Sequence, residues 1–209
     1  MESRDEYVDY YDNGQVRERF FSRDGLGEGP ATSYDETGQI KQRANLKLGK
    51  LDGETILYDE TGAVSQKINF ENGRMNGEMV VYAAGKMLLK STYKDGKREG
   101  ESVTFAEDGQ VLLKAHYRGG QLNGDSHWFG KDGQVVKRSQ FREDKLEGVT
   151  IEYYPSGKVQ TKSHYKGNQL DGEVTEYTED GKIKQRTFYK AGKPHAPPTQ
   201  QPQLKIHRR

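Results

Sequence analysis

Glycine recurs in this chain on a fixed beat. Gly14, Gly38, Gly62, Gly85, Gly109, Gly133, Gly157 and Gly181 stand 24 residues apart, with one interval of 23. A second column, Gly29, Gly53, Gly77, Gly100, Gly124, Gly148 and Gly172, keeps the same interval. A third column lies eleven residues after each member of the first and reads Gly25, Gly49, Gly73, Gly96, Gly120, Asp144, Asn168 and Gly192. Asp and Asn tolerate a left-handed backbone better than other non-glycine residues, so the two exceptions keep a conformational requirement. Three interlocked columns define a repeat protein of about eight units.

Within a unit, Gly172-Glu-Val-Thr-Glu-Tyr177 and Ile183-Lys-Gln-Arg-Thr-Phe-Tyr189 are extended runs rich in β-branched and aromatic residues. Glu179-Asp180-Gly181 between them suits a type I turn closed by a left-handed glycine, which pairs Tyr177 with Ile183. The same chemistry at Glu71-Asn72-Gly73 predicts that Val64 pairs with Val80. In the short unit, Ala84-Gly85 makes a two-residue loop and Tyr82 still meets Met87. The expected fold is all-β: an elongated, twisted antiparallel β-meander of about eight 24-residue hairpin repeats. Residues 1–192 form a single repeat domain. Residues 193–209, with Pro194, Pro197, Pro198 and Pro202 and a basic tip, read as a disordered tail.

Only 31% of residues are hydrophobic and 31% are charged, which excludes a compact globule with one deep core. The aromatics make up the difference. Tyr10, Tyr34, Tyr58, Tyr82, Phe105, Phe129, Tyr153 and Tyr177 form one column, and Phe70, Tyr93, Tyr117, Phe141, Tyr165 and Tyr189 another. Both are expected on one sheet face, where stacked repeats share a thin continuous core.

The units Gly53-Glu-Thr-Ile-Leu-Tyr58-Asp-Glu-Thr-Gly62, Gly100-Glu-Ser-Val-Thr-Phe105-Ala-Glu-Asp-Gly109 and Gly172-Glu-Val-Thr-Glu-Tyr177-Thr-Glu-Asp-Gly181 resemble the variant MORN repeat, from about Tyr10 to Gly192. That resemblance implies a bacterial antitoxin or immunity protein, which binds and neutralises a partner toxin. Other MORN proteins are scaffolds or contact membrane lipids.

Thirty-three Lys and Arg against 32 Asp and Glu leave a net charge of +1, so no global field draws nucleic acid. No apolar run is long enough to cross a membrane as a helix. The start, Met1-Glu2-Ser3-Arg4-Asp5, lacks the apolar stretch of a signal peptide. The expectation is therefore a cytoplasmic chain, or a periplasmic one if a leader has been removed. No cysteine is present. His116 and His164 share a column four strands apart, about 19 Å, and cannot share a metal. His127 is a column variant, and His195 and His207 lie near the C-terminus. Neither a P-loop nor a dinucleotide-binding glycine motif occurs, and no acid, base or nucleophile departs from the repeat. The chain is expected to be no enzyme and to use no cofactor or metal.

Two features remain for binding, both expected on the second face. One is an unbroken basic column, Arg19, Arg43, Lys67, Lys90, Lys114, Arg138, Lys162 and Arg186, fit either for an anionic surface or for solubility. The other is an apolar island in the predicted cross-strand pairs Ser33–Lys41, Leu57–Ser65, Val81–Leu88, Thr104–Leu112, Trp128–Val136, Glu152–Gln160 and Glu176–Lys184. Polar pairs occupy both ends, and Met79 extends the apolar middle. The candidate partner-binding residues are Leu57, Met79, Val81, Leu88, Leu112, Trp128 and Val136, with Lys90, Lys114 and Arg138. Three functions stay open: neutralisation of a toxin or effector enzyme, a lipid-binding scaffold, and a self-associating structural protein. A protein partner is the preferred expectation, and no nucleic acid.

Overall fold

The computed structural model describes residues 5–196. Among the described residues nineteen strands, from Asp5–Tyr10 to Lys193–His195, make one antiparallel sheet that runs as a meander in sequence order. Two strands are interrupted: Lys50–Leu51 and Gly53–Tyr58 both pair with Ile40–Lys47, and Gln169–Leu170 and Gly172–Tyr177 both pair with Val159–Lys166. Among the described residues the first strand pairs only with Val16–Arg23 and the last only with Ile183–Lys190, so the meander is open. The sheet runs past residue 192 through Lys193–His195. Residues 197–209, the rest of the predicted tail, lie outside the described residues.

Two kinds of turn alternate. The first-column loops close as expected: Gly62 donates its N–H to Asp59 O at 2.9 Å, Asp59 donates to Ala63 O at 2.8 Å, and Tyr58 faces Val64. Tyr177 likewise faces Ile183, and Tyr82 faces Met87. The third-column turns are shorter than expected. Asn72 and Gly73 both have positive φ, 50° and 80°, between the paired residues Glu71 and Arg74. That is the type I′ geometry of a two-residue hairpin loop. Asp144 and Asn168 take the left-handed backbone their column requires, at φ 63° and 70°. Their side chains also accept the N–H of Leu122 (2.8 Å) and Leu146 (2.6 Å) in the preceding unit. From Gly49 onward each such turn also donates backward to a backbone carbonyl, as Gly73 N–H does to Leu51 O and Gly96 N–H to Met75 O, both at 2.8 Å. These bonds couple each repeat to its predecessor at one rim of the sheet.

Every unit also contains a β-bulge after its first-column loop. Tyr58 faces Val64, but Leu57 faces Gln66, which leaves Ser65 over. The same slip follows Tyr34, Tyr82, Phe105, Phe129, Tyr153 and Tyr177. A second bulge surrounds each second-column glycine: Phe70 faces Met75 and Ile68 faces Met79, so Asn76, Gly77 and Glu78 oppose Asn69 alone. Val80 accordingly pairs with Lys67, not with Val64. A polar side chain on the preceding strand caps backbone freed by these bulges. Asn69 Nδ2 donates to Glu78 O at 3.1 Å, Asn45 Nδ2 to Asp52 O at 3.0 Å, and Val149 N–H donates to Gln140 Oε1 at 3.1 Å. His164 Nδ1 lies 2.8 Å from Glu173 O in the same role, which accounts for one histidine of the sequence.

Loop carboxylates act alike. Asp35 and Asp59 each accept the hydroxyl and N–H of a threonine two residues on, and a further N–H. The Thr37 and Thr61 hydroxyls are the main cause that holds these carboxyls below the ordinary value, and Lys190 does so for Asp171. Depressed folded-state values give stability that is present above the unfolded pKa of about 3.9 and is lost as pH falls through the folded values. A thermal midpoint level from neutrality to about pH 5 and falling below about pH 4 is expected. Scanning calorimetry of wild type and Asp59→Asn checks it, the variant losing part of the slope.

Candidate partner-binding face

The bulges decide which columns share a face. One row runs Leu57, Gln66, Val81, Leu89, Thr104, Leu113, Trp128 and Lys137. From Leu57 to Trp128 it crosses six strand spacings, about 29 Å. Two residues further along each strand lies a row of mostly small side chains, including Ser91, Ser102, Ala115, Ser126 and Ser139, at most 5% exposed. Next comes the second aromatic column, each ring beside a second-column glycine: Phe70 beside Gly53, Tyr117 beside Gly100, Phe141 beside Gly124. A glycine with no side chain leaves room for the ring to lie over it.

The tall outer rows lean over the small one between them. Trp128 and Phe141 bring their ring centroids within 6.3 Å of each other across the strands that carry Ser126 and Ser139. Ser91 and Ser102 join hydroxyls at 2.6 Å, and Thr150 donates to Ser139 Oγ at 3.0 Å. The Lys137 ammonium sits 5.6 Å from the Trp128 ring centre, and Arg98 lies 4.9 Å from that of Tyr117. Burial and the charge of Glu152 push the Tyr165 phenol above its ordinary value. Leu57, Val81, Leu89, Leu113 and Trp128 are half-buried, and Leu112 is 44% exposed. No described element packs on this face.

Four candidate residues therefore share a face: Leu57, Val81 and Trp128 in one row, and Met79 in the adjoining row. Leu88, Leu112 and Val136 are the extra residues of bulges, not cross-strand partners. Val81 faces Leu89, Thr104 faces Leu113, and Trp128 faces Lys137. At the polar ends, Ser33, Leu57, Glu152 and Glu176 face Gln42, Gln66, Thr161 and Gln185 in place of the expected Lys41, Ser65, Gln160 and Lys184. Leu89 and Leu113 were not among the candidates. The doublets Leu88-Leu89 and Leu112-Leu113 carried the signal, because two adjacent apolar residues in an alternating strand mark a bulge.

Lys90, Lys114 and Arg138 lie on the opposite face, in a basic row that alternates with Ile56, Val80, Val103, His127, Ile151 and Thr175. The expectation that the basic column shares a face with Trp128 is thereby corrected. The first aromatic column also lies there. Alternation along Gly53–Tyr58 puts Tyr58 with Ile56, and the Arg43 guanidinium lies 5.8 Å from the Tyr58 ring centre. The two aromatic columns thus occupy opposite faces, not one. Acids just after the bulge glycines reach the basic row: Lys90–Glu78 at 2.6 Å, Arg138–Asp125 at 2.7 Å and Arg186–Glu173 at 3.3 Å. Val80, 4% exposed, lies between Lys67 and Lys90, its partners on the two neighbouring strands. Among the described residues no group of three His, Asp or Glu is placed to hold a metal.

No protein of curated function matches this sequence. Among solved structures, a chain in the crystal structure of the GtfA/B complex bound to UDP and GlcNAc is similar at 11% identity and a TM-score of 0.22. The match covers 52% of this chain and 22% of that one, so this chain spans under a quarter of that protein's length. The model of the MORN repeat variant matches residues 27–47, 51–72, 98–118, 146–166 and 170–191, together about half of the chain and in register with the hairpin units. This protein belongs to the MORN repeat variant family.

Proposed function

We propose that this MORN repeat protein is a non-enzymatic binding protein that seats a cognate toxin or effector enzyme on its Trp128-bearing face and covers that enzyme's active site or substrate entrance. The observation that carries the reading is the largely apolar row from Leu57 to Trp128, interrupted by Gln66 and Thr104, on an uncovered sheet face, with the polar Gln42 and Lys137 beyond its ends. Apolar surface of this extent, ending on a tryptophan, matches the make-up of protein-binding surfaces. The resemblance of the units to immunity and antitoxin proteins supplies the class of partner. Co-expression tests it: each polypeptide encoded beside this gene is produced with and without this chain. The expected result is one neighbour that arrests growth alone, is tolerated with this chain, and co-elutes with it in gel filtration. If no neighbour is toxic, or a toxic one is neither relieved nor bound, the reading fails.

The lipid-scaffold alternative receives less support, because acids on the same face neutralise part of the basic row. Charges held in such pairs offer little net attraction to an anionic surface. Co-sedimentation with phosphatidylserine vesicles at physiological salt is expected to leave the protein in the supernatant. Salt-sensitive pelleting, abolished by charge reversal at Lys90, Lys114 and Arg138, would restore the lipid alternative.

A further inference from the structure

One place on the Trp128-bearing face departs from the repeat. Gly27 stands where the next six units carry a large side chain, Leu51, Met75, Arg98, Leu122, Leu146 and Leu170, and Leu46 stands where later units carry an aromatic ring. Ala31 and Ala44 pair across the strands between. The missing bulk opens a cleft of about 310 Å³. Phe20, Ala31, Ala44, Leu46 and Leu51 make its floor and one wall; Glu18, Ser33 and Gln42 make the other. Arg19 and Thr32 line it too, but pleating sends their side chains to the opposite face.

Glu18 sets the chemistry. It is half-buried, it faces Asp9 across the strands, and no described cation pairs with it, whereas Asp9 pairs with Arg17. A protein laid on this face strips water from the Glu18 carboxylate, and an unpaired buried carboxylate is costly. A partner that covers the cleft must therefore bring a cation. About 6.6 Å along the strand separates Glu18 from Phe20, a span that the stem of a basic side chain crosses over apolar ground.

We propose that this cleft seats an arginine or lysine side chain of the bound protein, with the alkyl stem on Phe20, Ala31, Ala44 and Leu46 and the charged head against Glu18, beside Ser33 and Gln42. The inference rests on the reading of this face as a protein-binding surface.

The test titrates the whole ¹⁵N-labelled chain with N-acetylarginine amide and with its neutral counterpart N-acetylnorleucine amide. Saturable shifts at the amides of Gly27, Ala31 and Ala44 are expected, with the arginine compound favoured about fivefold, the upper range for one partly exposed ion pair. Glu18→Gln, which preserves shape, should remove that preference. Gly27→Leu restores the column residue and should abolish binding of both compounds. Its new Cβ meets the flexible end of Leu46 at 2.6 Å, which can turn aside. Equal affinity for the two compounds, or shifts unchanged in both variants, overturns the proposal. Because the probe is a small molecule, failure to find a toxin leaves this result standing. Conversely, a partner weakened by Trp128→Ala but indifferent to Glu18→Gln and Gly27→Leu overturns the cleft alone.

Discussion

Gly172→Val is expected to lower stability by about 1–3 kcal/mol, the cost of forcing a side chain into a sparsely allowed backbone region. Gly172 sits at φ +126°, and a Cβ there would meet His164 Cβ at 3.0 Å. Neither problem has an easy escape. The obstacle is the root of a side chain, and that side chain also holds Glu173 O at 2.8 Å. Rotating His164 away leaves that carbonyl without its partner. Chemical denaturation should show the loss of stability, and hydrogen exchange should place the new opening in strands Val159–Lys166 and Gly172–Tyr177. Gly181→Ala is the control: it has positive φ but nothing within 4 Å of an added Cβ, so only the smaller conformational cost applies. Equal losses for the two variants would show that crowding by His164 contributes nothing.

Trp128→Ala is expected to weaken binding of the partner protein by about 2 kcal/mol or more while the sheet stays folded. Its ring lies beside Phe141 and Lys137 and is half-buried, so a protein seated on this face would bury the rest of it. Calorimetric titration against the co-eluting neighbour, beside circular dichroism of the variant, reads both quantities. Leu113→Ala, in the same row one strand away, should weaken binding by a smaller amount. Lys114→Ala, on the opposite face, should leave it unchanged. A variant at Trp128 that unfolds, or one that binds as tightly as wild type, counts against this face as the interface.

Much of this protein was readable residue by residue. Gly62, Gly85 and Gly181 announce turns through a backbone requirement that is local and chemical, and Asp144 and Asn168 confirm it by substitution. The aromatic columns and the apolar middle bounded by polar ends survive in the folded sheet. Less readable were the partners. Leu89 and Leu113 hold the places expected of Leu88 and Leu112, because a bulge residue has no fixed identity: Ser65, Leu88, Leu112 and Val136 all serve. The glycine columns mark the turns but leave no trace of the bulge that follows each first-column loop. The N-terminal cleft, by contrast, was present in the columns as Gly27, Ala31 and Leu46, but it becomes a site only when the register sets Glu18 beside it.

The repeat length, the all-β architecture and the positions of the turns follow from the chain alone, because glycine conformation and side-chain propensity act over a few residues. The assignment of each column to a face does not. Side chains alternate with a period of two, so one extra residue in a strand exchanges faces for everything beyond it. Only the paired sheet decides where that residue lies. It separates the two aromatic columns, turns the basic row away from Trp128, and gathers Leu57, Val81, Leu89, Leu113 and Trp128 into one row.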